Sequence, residues 1–142
     1  MRVAGTRRKA RCRALEFLFG LEFTKGDWRV TLDAFWKTFE TRQSVRDYAE
    51  TLVAGVLEDL SVLDEDIDAS LKGWTPERVG RIERNVLRVA IFEMGSIDDV
   101  PPKVAINEAI ELAKSYGSDE SPGFVNAVLD RVMDTKYRES PT

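Results

Sequence analysis

The residues best suited to chemistry are the cations at the beginning of the chain. Six positive side chains occur before the first carboxylate, Glu16: Arg2, Arg7, Arg8, Lys9, Arg11 and Arg13. The whole chain of 142 residues has a net charge of −4, so residues 14–142 carry −10 once these six charges are set aside. Such an asymmetry is typical of a protein with a polyanionic partner, either nucleic acid or a membrane surface.

Catalytic and metal-binding residues are scarce by comparison. Cys12 is the only cysteine and histidine is absent, which excludes a disulfide framework, Cys/His zinc sites and triads with an imidazole base. The glycines form no phosphate-cradling loop, and the carboxylates of "LEDLSVLDEDIDASL" have the spacing of a solvated helix face. We therefore expect a binding protein that is not an enzyme and needs no cofactor or metal.

The lone thiol favours a reducing, cytoplasmic location, and no apolar run is long enough to span a membrane. A mitochondrial-type presequence would fit the composition of residues 1–13. Against it, this basic segment runs directly into a core-like helix without a linker.

The cations raise the question of which anion they bind. Cations oppose the dipole at a helix N-terminus, and six clustered positive charges repel one another unless an anion is present. A membrane helix would need a broad apolar face beside them, and duplex DNA readers show a recognisable motif. Single-stranded RNA needs cations and stacking surfaces, which Tyr116 and Phe124 around "GSDESPG" could supply. The helix start at Ser121-Pro122 offers free N–H groups, although Glu120 would repel phosphate.

Apolar spacing predicts an all-α fold of about seven helices, three packed against four. We expect a first helix from about Cys12, a break at residues 24–27, a short helix over 28–39, and one long helix over 44–72 that begins at Ser44 and is closed by Gly73. A helical turn starts at Pro76, and Gly80 separates it from a buried central helix that runs to Met94. Two more helices occupy about 103–116 and 121–133.

The predicted organisation is a basic RNA-binding arm at 1–13, a helical domain at 14–135 and a frayed tail at 136–142. Within the domain, the subdomains span about 14–73 and 75–135. No internal repeat is present.

Four segments carry a resemblance to a known family: "RRKARCRALEFLF", "AGVLEDL", "IERNVLRVAIFEM" and "VPPKVAINEAIELAKSYGSDESPGFVNAVLDRV". In this order and spacing they resemble the NusB family of bacterial transcription antitermination factors over roughly residues 5–135. The resemblance implies two small helical bundles and no catalysis. It also implies binding of boxA RNA in ribosomal RNA leaders as a heterodimer with the ribosomal protein NusE. Further implied partners are elongating RNA polymerase with other Nus factors, or a second copy in a homodimer.

The resemblance also implies two sets of site residues. The RNA-binding set comprises Arg7, Arg8, Lys9, Arg11, Lys103, Asn107, Tyr116, Glu120, Ser121 and Phe124. The NusE-facing set comprises Phe19 and Glu83. Phe19 stands where a tyrosine is common, and Pro122-Gly123 replaces a more polar pair. A non-catalytic helical adaptor that binds an acidic protein remains the alternative function.

Overall fold

The computed structural model describes residues 3–39 and 42–137, which contain seven α-helices and no β-strand. The helices are α1 (Val3–Leu21), α2 (Trp28–Thr38), α3 (Gln43–Glu58), α4 (Leu60–Ala69), α5 (Arg81–Ser96), α6 (Pro102–Tyr116) and α7 (Ser121–Val132). A 3₁₀ turn (Pro76–Arg78) precedes α5, and a π turn (Met133–Tyr137) follows α7. The all-α prediction is confirmed. Arg2 and residues 138–142 of the predicted tail lie outside the described range.

Helix α1 begins earlier than predicted, because the basic segment is itself helical from Val3. Small and apolar residues of this segment face the core, and Ala10 and Ala14 are fully buried. The helix ends at the predicted break, where Gly26 has φ +99°, a conformation that favours glycine. Asp27 then caps α2 by accepting a hydrogen bond from the Arg29 N–H. The cations are therefore held on a rigid, packed helix.

The long helix predicted over 44–72 is instead two helices, α3 and α4, with a break at Asp59. The Asp59 N–H closes α3 on the Gly55 carbonyl, and the Asp59 carbonyl opens α4 by accepting from Leu63. The physical reason is packing: α3 lies against α1 and α5, whereas α4 lies against α5 and α7. One straight apolar stripe cannot follow both surfaces, so the chain turns between them.

The ends of these two helices also differ from the prediction. Arg42, not Ser44, is the N-cap of α3, and α4 ends at Ala69, before Gly73. Gly73 does have φ +79°, but it lies in the linker to the 3₁₀ turn. Gly80 precedes α5 as expected, in an extended conformation.

Helix α5 is the centre of the molecule, as its apolar surface predicts. It packs against α1, α3, α4, α6 and α7, and the buried apolar residues form one cluster around it. Two polar residues of α5, Asn85 and Glu93, are also buried, each about 1% exposed. Because buried polar groups require partners, Glu93 binds Arg11 of α1, and Asn85 binds Glu22, just after α1, and Arg88 of α5 itself.

Candidate nucleic-acid interface

Arg7, Arg8 and Arg11 of α1 point toward carboxylates on α5, on α6 and in the loop between these helices. Arg7 donates from both terminal nitrogens to the Asp99 carboxylate, at 3.0 and 3.2 Å. Arg8 donates from Nε and one terminal nitrogen to Glu108, at 3.0 and 2.8 Å. Both pairs are bidentate, and the hydrogen bonds from Arg7 and Arg8 hold the pKa values of the Asp99 and Glu108 carboxyls below their usual ranges.

Arg11 has a different environment from Arg7 and Arg8. Its Nε lies 3.0 Å from both carboxylate oxygens of Glu93, and the residue is only 4% exposed. Tyr48 donates to the same carboxylate at 2.5 Å, and burial together with this hydrogen bond raises the pKa of the Tyr48 hydroxyl. The Arg11 guanidinium is bound inside the protein in this conformation, and its predicted contact with phosphate stays a prediction.

Helices α1 and α6 run parallel, side by side. Arg8 pairs with Glu108, and eight residues further along both helices Tyr116 donates to Glu16 at 2.5 Å. Eight helical residues span about 12 Å. Burial and the hydrogen bond to Glu16 raise the pKa of the Tyr116 hydroxyl. We call this strip, from Arg8 and Glu108 to Glu16 and Tyr116, the α1–α6 seam.

The remaining predicted residues on α1 and α6 are at the surface. Lys9 is exposed on α1, and Lys103 and Asn107 are exposed one turn apart on α6. The structure thus places these three predicted RNA-binding residues at the surface of α1 and α6.

Ser121, at the start of α7, is buried rather than exposed. Its hydroxyl accepts a hydrogen bond from the Ser118 N–H at 2.9 Å and donates to the Glu83 carboxylate on α5. The predicted RNA residue Ser121 and the predicted NusE residue Glu83 are therefore bound to each other. The contact closes the Gly117–Glu120 loop onto α5, because a capping hydroxyl satisfies the free N–H groups of the turn.

A cleft of 540 Å³ opens beside this loop, between the linker before α5 and helix α7. Trp74 and Phe124 form its aromatic wall, with ring centroids 5.2 Å apart and edge-to-face geometry. The Arg78 guanidinium lies 5.4 Å from the Trp74 ring, and Lys72 and Arg131 also line the cleft. We call it the Trp74–Phe124 cleft.

Of the predicted residues, Phe124, Glu120 and Ser121 reach the Trp74–Phe124 cleft, together with Glu83. Sequence reasoning missed Trp74, which is 44% exposed, and Arg78. The sequence did contain an indication of this site, because a tryptophan in a short linker between a glycine and a proline is not part of the apolar face of a helix.

Phe19 and Glu83 do not share a surface patch. Phe19 packs edge-to-face against Phe23, 5.7 Å away, and Arg81 lies 4.8 Å over the Phe23 ring. Arg81 also pairs with Glu22 at 3.2 Å, while Glu83 turns toward Ser121. Phe23 is 61% exposed, which is unusual for a large aromatic side chain. We call this the Phe19–Phe23 patch.

The described part of the chain holds no group of three or more side chains that could bind a metal ion. Within residues 3–39 and 42–137, no helix combines the length and apolar character needed to cross a bilayer.

Comparison with known proteins agrees with this architecture. A model of the NusB family matches residues 8–134. The transcription antitermination protein NusB of Trichlorobacter lovleyi is 44% identical over 128 residues, which are 90% of this chain and 90% of that protein. A solved structure of T. maritima NusB has a TM-score of 0.79 and 35% identity, with 90% of both chains covered. A second solved structure contains the antitermination factors NusB and NusE in complex with double-stranded RNA. Its match has a TM-score of 0.78 and 23% identity over 92% of this chain and 97% of that chain, and it supports the fold.

Fold and matches together define an all-helical, non-catalytic factor of the transcription antitermination class. The chain belongs to the NusB family. The resemblance carried by the four sequence segments is thereby confirmed.

Proposed function

We propose that this chain binds boxA-type single-stranded RNA jointly with a NusE protein, and that the complex acts on elongating RNA polymerase to suppress premature termination. The observation that carries the proposal is the Trp74–Phe124 cleft, which combines aromatic walls with the cations Lys72, Arg78 and Arg131. Stacking surfaces joined to cations are what unpaired RNA requires.

In this proposal the cleft receives an unpaired base. Trp74 and Phe124 present ring faces and edges, and Arg78 adds a guanidinium beside Trp74. Glu120 at the rim accepts hydrogen bonds from exocyclic amino groups, which bases have and phosphates lack. The carboxylate therefore favours a base over a phosphate at this position.

The phosphate backbone then follows the α1–α6 seam. Arg8, Lys9, Lys103 and Asn107 are exposed on α1 and α6 and would donate hydrogen bonds to it, while Arg11 holds α1 on α5 through Glu93. For NusE, the Phe19–Phe23 patch supplies the exposed apolar surface that a protein interface needs at its centre.

The test replaces the tryptophan of the cleft. We expect Trp74→Ala to weaken binding of a fluorescently labelled boxA RNA roughly 5- to 150-fold, since stacking of one base on an aromatic ring contributes about 1–3 kcal/mol. Trp28→Ala is the matched control, because Trp28 also lies under an arginine, Arg29, at 4.5 Å, but on α2. Fluorescence anisotropy with boxA, scrambled and duplex RNA, each with and without NusE, measures the effect.

Equal affinity for boxA and scrambled RNA, with no gain from NusE, would contradict the proposal. Equal losses in Trp74→Ala and Trp28→Ala would remove the cleft from the RNA path. The adaptor alternative predicts binding to an acidic protein and no preference for boxA RNA.

A further inference from the structure

The arginines of the basic segment of α1 already hold anions that belong to the protein. Four of the five cations between Arg7 and Arg13 form ion pairs with carboxylates, and within the described residues Lys9 has none. The basic segment that the sequence shows as a strong positive charge is therefore largely neutralised after folding. Arg7–Asp99, Arg8–Glu108 and Arg11–Glu93 join residues 92, 100 and 82 positions apart, whereas Arg13–Glu16 is a local pair within α1.

Two of these pairs are at the surface and two are more enclosed. The Arg8 side chain is 59% exposed, and Asp99 is 71% exposed beside Arg7. By contrast, Arg11 and Glu93 are almost fully buried, which makes their pair part of the core. The Arg7–Asp99 pair can therefore open without disrupting the packing of α1. The Glu108 side chain is 17% exposed and also lies 3.4 Å from the Arg11 guanidinium, so it keeps a cationic partner when Arg8 leaves it.

Asp99 and Glu108 also imitate the ligand proposed for this surface. Each presents two oxygens to one guanidinium, and phosphate presents two oxygens in the same bidentate geometry. A carboxylate at 2.8–3.2 Å occupies the edge of the guanidinium that a phosphate would use. Carboxylate and phosphate therefore compete for the same nitrogen atoms.

We propose that Asp99 and Glu108 form a carboxylate mask, which covers Arg7 and Arg8 in the free protein and is displaced by RNA phosphates. The proposal rests on the RNA-binding function proposed above. Surface ion pairs contribute little to stability, so the mask opens at low cost when a phosphate arrives in the correct register. An RNA that fails to engage the Trp74–Phe124 cleft meets a nearly neutral α1 and binds weakly.

The mask also lowers the salt dependence of binding. When a carboxylate already neutralises the arginine, a phosphate contact releases counterions only from the RNA. Part of the favourable free energy of this release is offset by the cost of separating the arginine from its carboxylate. Removing either carboxylate should therefore raise affinity for every single-stranded RNA, with a larger relative gain for scrambled sequence than for boxA.

The experiment compares four variants that change the net charge equally. Asp99→Asn and Glu108→Gln each remove one mask carboxylate and keep its shape. Asp98→Asn and Glu111→Gln are the matched controls, since Asp98 is adjacent in the same loop and Glu111 lies on α6 paired with Lys114 at 3.4 Å. Labelled boxA and scrambled single-stranded RNA are titrated between about 50 and 200 mM salt.

We expect each mask variant to bind roughly two- to five-fold more tightly than its control, with a scrambled-RNA gain at least as large as the boxA gain. Unchanged affinity relative to the controls would overturn the mask. Weaker binding would overturn it too, because it would show that the carboxylates orient the arginines for RNA. Thermal unfolding followed by circular dichroism establishes that all four variants are folded.

A second measurement separates the mask from the proposed function. If the unaltered chain binds no RNA, the proposed function fails, and the mask is then tested on a heparin column. Elution of Asp99→Asn at higher salt than Asp98→Asn would support the mask, and co-elution would overturn it.

Discussion

Arg8 and Arg11 lie three residues apart on α1 and both lie within ion-pair distance of Glu108, but they differ in burial. Arg8 is exposed and paired with Glu108 at the surface, whereas Arg11 is enclosed with Glu93 and Tyr48. Breaking a buried pair by removing one partner leaves an uncompensated charge and costs about 3–5 kcal/mol. A surface pair contributes far less, so the same residue type serves the core at one position and the ligand at the other.

Lowering the pH should remove the stability that the Arg7–Asp99 and Arg8–Glu108 pairs contribute. Because the pKa values of Asp99 and Glu108 are lowered on folding, their contribution to stability is fully present above the usual pKa range of carboxyl groups and disappears as pH falls through the lower folded pKa values. We expect the double variant Asp99→Asn/Glu108→Gln to be less stable than the unaltered chain at pH 7 and nearly equal to it at low pH. Urea unfolding across pH 3–7 measures the difference.

Asp98→Asn/Glu111→Gln is the control for that series. A stability gap that stays constant from pH 7 down to about pH 3 would show that the mask pairs do not form in solution.

Among the helices, the contact between α3 and α5 depends on a single glycine. A Cβ atom built on Gly55 would lie 2.1–2.7 Å from the Phe92 ring, far inside van der Waals contact. Glycine has low helix propensity, so its place in the middle of α3 is explained by this close approach of α5. The fit matters because α5 also carries Glu93, which holds Arg11 and thereby α1.

We expect Gly55→Ala to destabilise the protein by about 1–3 kcal/mol, since the added methyl group must displace the Phe92 ring or separate α3 from α5. Gly20→Ala, on α1, is the control: its Cβ would meet nothing within 4 Å, and it should be neutral or stabilising by up to about 1 kcal/mol. Denaturant unfolding of the two variants is the measurement. A Gly55→Ala variant as stable as Gly20→Ala would mean that α3 and α5 are less closely packed than described.

At the scale of the whole molecule, the surface carries two candidate interfaces of different chemistry. The α1–α6 seam and the Trp74–Phe124 cleft combine cations with aromatic rings, whereas the Phe19–Phe23 patch is apolar and bordered by the Arg81–Glu22 pair. Helix α1 contributes to both, with its N-terminal half at the seam and its C-terminal end at the patch. One helix therefore contributes to both the proposed RNA surface and the proposed protein surface.

Phe23→Ser should weaken the proposed NusE interface and leave the proposed RNA interface unchanged. We expect it to weaken NusE association at least 10-fold, since exposed aromatic anchors dominate protein interfaces and lose about 2 kcal/mol or more when truncated. RNA affinity of the chain alone should be unchanged. Isothermal titration calorimetry with NusE, and anisotropy with RNA, test the two halves of the prediction. Val62→Ser, another exposed apolar side chain on α4, is the control.

Unchanged NusE affinity in Phe23→Ser would remove the Phe19–Phe23 patch from the interface. The NusE interface would then have to lie on another surface of the chain.

The sequence by itself determined the helical class, most helix limits and the identity of the central helix. These features are local or periodic: Gly26 and Asp27 set a break, Pro102 and Pro122 mark helix starts, and the apolar residues of α5 surround its axis. The four family segments also sufficed to identify the family. The division of residues into a basic arm and a helical domain is still a prediction.

Only the tertiary structure decided what the charged residues do. The break at Asp59, the burial of Arg11, the Ser121–Glu83 contact and the carboxylates on Arg7 and Arg8 all depend on helices distant in sequence. Charge is counted along a chain, but electrostatic energy depends on distance and solvent exposure, which folding alone fixes. For that reason the sequence showed a strongly basic segment, whereas the fold shows arginines that are already paired.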